Sequence, residues 1–336
     1  MRGAAREPAC AAAFLPAAAA FARRAIPCGL LLGGLLLGAS GRALADAAPT
    51  PSMPTVATKS PGEAIVVLYS PSLEGLVRRG LVPAFAKQSS VAVDAQPQPR
   101  TDAIATATAD GRPADLLLVD DVSLVAAKLA PEQAPHYTAF ASDSMVVAYR
   151  PESTFGKAVA AGRDWLLALD AGGVRMVRPD AAADPLGRRT AIVMRLAGTY
   201  EGDGKLEARL LARAQVVAPD QLVPRLQRGD ADVAILERSR AVAASLAVLP
   251  LPIEIDLSDP GRAGVYASAA IEAGGRTWRG APLAIAVVPL AGAPHPAAAM
   301  RFADFLGATP GRRAIDASGF LFPPGFPVQR ALGQEP

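Results

Sequence analysis

The sequence predicts a mixed α/β protein with parallel-rich sheets, and three observations carry the prediction. A short, continuous apolar run at 64–68 has the length and composition of a strand buried on both faces, and 114–118 reads as a further strand. Between them lie stretches with apolar residues at helical spacing, the first marked by Leu76, Val77, Leu81, Phe85 and Ala86. The alternation then repeats along the chain, and strands separated by helical crossovers pair in parallel.

In order, the strand at 64–68 is followed by a helix at 73–88, a strand at 91–94, a helix at 101–110, the strand at 114–118 and a helix at 122–129. A strand at 144–149 is closed by Arg150-Pro151. A helical fragment at 165–167 and a strand at 174–177 come next. Asp184-Pro185 opens a long helix reaching about residue 200, because aspartate suits the cap and proline the first helical position. Helices at 204–214 and 219–228 flank a short strand near 215–217, and residues 231–236 form another strand. Two β-rich pieces are expected at 264–271 and 282–289, then helices at 296–306 and 311–317. Residues 61–330 hold no internal repeat and no low-complexity block.

Charge and composition narrow the function. The chain has 336 residues with 34 Lys+Arg and 31 Asp+Glu. The first 45 carry five arginines and one glutamate, which leaves 29 basic and 30 acidic residues in the remainder. That balance argues against a nucleic-acid partner, which would require a basic excess. Both cysteines, Cys10 and Cys28, fall in the first 45 residues, so the rest has no disulfide framework, thiolate metal site or cysteine nucleophile. His136 and His295 alone give a histidine-based site little to build on.

The N-terminus reads as an export signal covering residues 1–45. Arg23-Arg24 is the charged region, 25–39 the apolar run, and Ala43-Leu44-Ala45 a small-residue cleavage site before Asp46. The alternative is an uncleaved anchor, but the run is about 15 residues against the roughly 20 a span needs. Residues 46–60, rich in Ala, Pro, Thr and Ser, read as a flexible leader. The mature product is expected in the periplasm.

Turns from strand to helix are where ligands bind in open α/β sheets, and helix starts favour anions. Three stand out. Ser70-Pro71-Ser72 follows the first strand, and its plain reading is a helix cap. Arg178-Pro179-Asp180 leads into Asp184-Pro185-Leu186-Gly187-Arg188-Arg189-Thr190, which gathers three guanidinium groups at one helix start. Glu237 ends the strand 233–236 and precedes Arg238-Ser239.

Read in order, these turns resemble the tungstate/molybdate-binding family of exported solute-binding proteins of ABC transporters. The resemblance spans about 63–325. It rests on Ser70-Pro71-Ser72-Leu73, Ala114-Asp115-Leu116, Phe140-Ala141-Ser142-Asp143-Ser144-Met145-Val146 and Asp184-Pro185-Leu186-Gly187-Arg188-Arg189. Leu196-Ala197-Gly198-Thr199-Tyr200, Glu237-Arg238-Ser239, the run from Leu251 to Asp259, and Tyr266 complete it.

The resemblance implies a two-lobe periplasmic-binding-protein fold of type II joined by hinge strands. Residues 61–145 with 285–330 would form one lobe and 146–284 the other. It implies a binding protein rather than an enzyme, with no cofactor, acting as a monomer with a membrane permease. The ligand residues it implies are Ser70, Ser72, Asp143, Ser144, Asp184, Arg188, Glu237 and Tyr266. Asp184 and Glu237 would add oxygens to a Mo(VI) or W(VI) centre, which sulfate cannot accommodate. The chain departs from the family at 96–101, where the Gly-Ser is missing and Gln98 or Thr101 would have to substitute. It also departs at Asp143, which replaces an asparagine, and at Arg188, which replaces a tyrosine. These departures keep open a different anion or a small organic acid as ligand. A remoter alternative is an exported hydrolase using Asp184 and Glu237 as acid and base.

Overall fold

Two sheets organise the chain, and each forms where the sequence supplies residues apolar on both faces. The computed structural model describes residues 63–98, 103–104, 108 and 113–332, with backbone alone at Ser123 and Leu124. All belong to one compact unit, 58–336. The expected export signal and leader, Thr101, and most of the expected helix at 101–110 lie outside the described residues.

In the first sheet β1 (Ala64–Tyr69) pairs in parallel with β2 (Ala92–Pro97) and β3 (Leu116–Val119). β3 reads Leu-Leu-Leu-Val and is buried throughout. Leu116 and Leu118 join one apolar cluster, Leu117 and Val119 the other, as a period of two requires. β12 (Ala284–Pro289) alternates in the same way, with Ile285 and Val287 opposed to Ala286 and Val288. It runs antiparallel to β3 and to β4 (His136–Ser142), and β13 (Val328–Ala331) closes the edge. The order is β13-β4-β12-β3-β1-β2.

A helical turn, Pro71–Leu73, leads into a widened run, Gly75–Leu81, and then α1 (Val82–Ala86); the Val82 N–H reaches back five residues to the Val77 carbonyl. α2 (Val122–Leu129) follows β3. At the other end of the sequence, α10 (Pro296–Gly307) and α11 (Thr309–Ala317) add Ala298, Phe302, Phe305 and Ile315 to the apolar cluster beside this sheet. Phe85 meets Phe302 and Phe305 edge-on at 5.1 and 5.2 Å between ring centroids, a geometry aromatic quadrupoles favour.

The second sheet is built on β5 (Met145–Tyr149), flanked by β8 (Val233–Glu237) and β9 (Ala247–Pro250). A bridge from Met176 to Val233 continues it towards β6 (Val177–Arg178) and β7 (Gln215–Val216). The helices here are α3 (Thr154–Ala160), α4 (Trp165–Asp170), α5 (Pro185–Glu201), α6 (Leu206–Arg213), α7 (Leu222–Arg228), α8 (Arg238–Ala243) and α9 (Ala263–Ala267). A hairpin, β10 (Ala270–Ala273) and β11 (Arg276–Arg279), completes the set.

Parallel pairing occurs at β1–β2, β1–β3, β6–β7 and the Met176–Val233 bridge. β5 instead runs antiparallel to both neighbours. The reason lies in the crossing: the chain leaves the first sheet at Ser142 and enters the second at Met145. β5 therefore begins where β8 and β9 end, with Met145 opposite Glu237 and Val146 opposite Pro250. The expected β-rich piece at 264–271 is helical over Ala263–Ala267 and becomes a strand only at Ala270. Asp259 causes this. Its side chain accepts from the Gly261 N–H at 2.8 Å with Pro260 in the first position of a helical turn, and that start outweighs the β content of Val265-Tyr266.

Backbone hydrogen bonds knit the crossings together. Asp143 N–H donates to Leu283 O (2.8 Å), Leu283 N–H to Leu257 O (2.8 Å) and Met145 N–H to Asp256 O (2.7 Å). Ser142 and Leu321 exchange two more, at 3.0 and 2.7 Å.

Candidate functional site

The ends of β1, β3 and β8 carry the polar groups. After β1, Ser70 is buried and its N–H donates to Leu118 O at 3.0 Å. It occupies a cap position, yet its hydroxyl caps no helical N–H. Its Oγ accepts instead from the Asp120 N–H, at 3.4 Å. Ser72 Oγ donates to Asp120 Oδ2 at 2.7 Å. Both serines thus converge on Asp120, the residue after β3. Gln98, after β2, is buried and its N–H donates to Tyr69 O at 3.1 Å.

Beside the second sheet, α5 begins as its sequence dictates. Asp184 Oδ1 accepts from the Leu186 N–H at 2.8 Å, with Pro185 in the first position. Gly187 lies against the preceding loop so closely that a Cβ would sit 2.6 Å from the Asp180 carbonyl carbon. Thr190 Oγ1 donates to Leu186 O (2.9 Å) and Ile235 O (3.2 Å), which pins α5 to β8. That register places Arg189 beside Glu237, with Nη1 to Oε1 at 2.8 Å. Burial alone would lower the Arg189 pKa, but attraction and hydrogen bonding to Glu237 outweigh it, helped by Asp120 and Asp143, and raise it.

Asp143 sits in the crossing with 5% of its surface exposed. Oδ1 accepts from the N–H groups of Ser144 (2.8 Å) and Ser239 (3.2 Å), and Oδ2 accepts from Ser239 Oγ. Burial, with a smaller push from Glu237, raises its pKa to about 7 despite these bonds. Ser144 is buried, and its carbonyl accepts from the Arg238 N–H at 2.8 Å. Arg238 Nη1 then donates to Gly319 O at 2.6 Å. Gly319 adopts a φ of +88°, and a Cβ there would meet Ser239 Cα at 2.9 Å. α8 therefore rests directly on the segment after α11.

Of the residues singled out in the sequence, the structure joins Asp143, Ser144 and Glu237 to Arg189 and Ser239, and joins Ser70 and Ser72 to Asp120. Arg189, drawn electrostatically to both Asp120 and Asp143, links the two groups. Arg188 points elsewhere. Its guanidinium lies 4.1 Å from the Trp278 ring centroid, and Nη1 donates to Ala181 O at 3.4 Å. Tyr266 is fully buried on α9, where its hydroxyl donates to Ile253 O at 2.7 Å and accepts from the Asp259 N–H at 3.2 Å. Burial pushes its pKa up to about 12. Its connection to the crossing runs through Asp256, whose Oδ1 is 3.3 Å from the hydroxyl and whose carbonyl accepts from Met145 N–H.

Three members of these groups, Asp120, Arg189 and Ser239, are absent from the ligand residues expected from the sequence, which place Arg188 there instead of Arg189. Asp120 carried a usable signal: like Glu237, it is a carboxylate at the end of a buried strand. Ser239 stood in the Glu237-Arg238-Ser239 run, but nothing local shows its bond to Asp143, 96 positions away. Among the described residues no group of three or more His, Cys, Asp or Glu is arranged to hold a metal ion. No helix among them is long and apolar enough to cross a membrane.

Comparison with known proteins gives the geometry its context. Residues 65–321 match the family described as bacterial extracellular solute-binding protein. A Haloferax volcanii protein, provisionally named ABC transporter molybdenum-binding protein, is 31% identical over 256 residues, covering 76% of this chain and 80% of that one. The molybdate/tungstate-binding protein WtpA of Pyrococcus abyssi is 26% identical over 242 residues, covering 64% and 70%. Among solved structures, the substrate-binding domain assigned to a molybdenum ABC transporter of Clostridium difficile has a TM-score of 0.60 at 13% identity, covering 78% of this chain and all of that one. Iron-bound HitA of Pseudomonas aeruginosa has a TM-score of 0.52 at 12% identity, covering 82% and 90%. These two structures share the type II periplasmic-binding-protein fold with this chain.

Proposed function

Because the chain belongs to the family of bacterial extracellular solute-binding proteins, we propose that it captures an oxoanion, molybdate or tungstate, and presents it to the permease of an ABC transporter. The family consists of receptors, not enzymes, so the activity is binding. In this reading the lobes are 61–145 with 285–330, and 146–284. The ligand enters between them in the periplasm, after residues 1–45 are cleaved as an export signal, and the receptor works as a monomer.

One observation carries the reading. Arg189 is paired with Glu237 at the end of β8 at 2.8 Å, and Asp120 at the end of β3, which bonds Ser70 and Ser72 after β1, attracts the same guanidinium. Hydroxyl and backbone N–H donors bind tetrahedral oxyanions. Carboxylate oxygens from Asp184 and Glu237 would enter the coordination sphere of a Mo or W centre, which is hard and accepts oxygen ligands. Ser70, Ser72, Asp143 and Ser144 complete the proposed site, while Arg188, stacked on Trp278, and Tyr266, fully buried with its hydroxyl on Ile253 O, are engaged elsewhere.

A second reading keeps the receptor and changes the ligand to another anion or a small organic acid. Two observations favour it: the Ser72 hydroxyl is taken up by Asp120, and Asp143 adds a carboxyl where the family carries an amide.

The test is a thermal melt of the purified chain with tungstate, molybdate, sulfate and phosphate, each at about 1 mM. A ligand present at a thousandfold excess over its Kd stabilises by about 4 kcal/mol. A shift of several degrees with tungstate or molybdate alone supports the oxoanion reading. No shift with any of the four turns the choice to the second.

A further inference from the structure

Resting on the oxoanion reading above, we propose that Arg189 is the residue that grips the bound anion, holding Glu237 with one N–H and presenting its other donors to the ligand oxygens.

The argument begins with charge. Asp120, Asp143 and Glu237 all exert an attraction on Arg189, so an anion approaching this part of the molecule meets three carboxyl groups. Capture of an anion there requires a cation that is close to all three and still has donors to offer. A guanidinium has five N–H donors in a planar fork. Arg189 donates one hydrogen bond to an acceptor among the described residues, from Nη1 to Glu237 Oε1 at 2.8 Å. Its side chain keeps 26% of its surface exposed, and its remaining N–H groups donate to no acceptor among the described residues.

Neighbouring arginines are committed differently. Arg178 Nη1 donates to Pro179 O at 3.1 Å. Arg188 is stacked on Trp278. Arg238 spans to Gly319 and Phe320. Of these four, Arg189 alone is held by a carboxylate at the end of β8 and attracted by Asp120 at the end of β3. The Thr190 bonds to Leu186 and Ile235 fix its backbone at that point. A planar fork held on one edge matches two oxygens of a tetrahedral oxoanion on the other, a geometry that a lysine does not reproduce.

Calorimetric titration with sodium tungstate tests the assignment. The proteins are the parent, Arg189→Gln, Arg189→Lys, Glu237→Gln and the double variant Arg189→Gln/Glu237→Gln. The double variant replaces the ion pair by an amide pair of similar shape, so neither partner is left as a buried unpaired charge. Near-UV circular dichroism verifies the fold of each. If Arg189 grips the anion, the double variant binds about tenfold or more weakly than Glu237→Gln, and Arg189→Lys recovers only part of the loss. If Arg189 serves only to neutralise Glu237, the double variant binds as tightly as Glu237→Gln, and the assignment is overturned while the oxoanion reading stands. A parent that binds neither tungstate nor molybdate overturns the reading itself and this assignment with it.

Discussion

Replacing Asp143 by asparagine should stabilise the protein at alkaline pH and leave it nearly unchanged at acidic pH. The carboxyl is buried in the crossing and, among the described residues, meets no cation directly. Its three hydrogen bonds all come from Ser144 and Ser239. Burial raises its pKa from 3.8 to about 7. An acid whose pKa is higher in the folded state retains its proton there, so the fold binds more protons than the unfolded chain between about pH 4 and pH 7. Stability is therefore full below about pH 4 and falls as pH rises through 7. The interval corresponds to a loss on the order of 4 kcal/mol. Asparagine keeps an oxygen for the two N–H donors, and its amide can donate to Ser239 Oγ, with no charge at any pH. Urea unfolding of parent and Asp143→Asn at pH 4, 5, 6, 7 and 8 gives the comparison. The variant's advantage should grow from near zero at pH 4 to a few kcal/mol at pH 8. Parallel curves, or an advantage that grows towards low pH, would refute the account of Asp143 as a carboxyl destabilised by burial.

Three further outcomes are expected. Asp184→Ala should cost about 1 kcal/mol through loss of the cap on Leu186. Asp184→Asn keeps the cap, so weaker tungstate binding at unchanged stability in that variant would separate ligation from capping, and unchanged binding would remove Asp184 from the site. Gly187→Ala should destabilise by about 1–3 kcal/mol, because its Cβ would press on backbone atoms of Asp180 and Ala181 within 2.8 Å; a neutral result in chemical denaturation would mean that the loop yields easily. Asp232 is buried and accepts from Arg175 Nη2 (2.6 Å), Nε (3.1 Å) and backbone N–H (2.9 Å). Burial alone would raise its pKa, but the Arg175 bonds outweigh it and lower the value. Its stabilising contribution is present above the ordinary aspartate range and lost as pH falls through the depressed value. Asp232→Asn should therefore cost about 1–3 kcal/mol at pH 7, and the gap to the parent should close in acid.

The sequence by itself determined whatever depends on neighbours along the chain. A continuous apolar run marks β1 and most of β3, since a strand buried on both faces has no polar side to show. Asp184-Pro185 marked the start of α5, since a cap and a proline act on the next turn. β4 went unread because its run, His-Tyr-Thr-Ala-Phe-Ala-Ser, mixes polar and apolar residues, with only its C-terminal half buried. The α9 segment has the residue content of a strand, and the Asp259-Pro260 start overrides it. The candidate site was legible as a set of turns but not as an arrangement. Ser72 reaches Asp120 across 48 positions, Arg189 reaches Glu237 across 48, and Ser239 reaches Asp143 across 96. No periodicity encodes such pairs. They arise when two sheets pack around one crossing, and only that packing decided that Arg188 stacks on Trp278 while Arg189, one residue and about 100° further round the helix, meets the carboxylates.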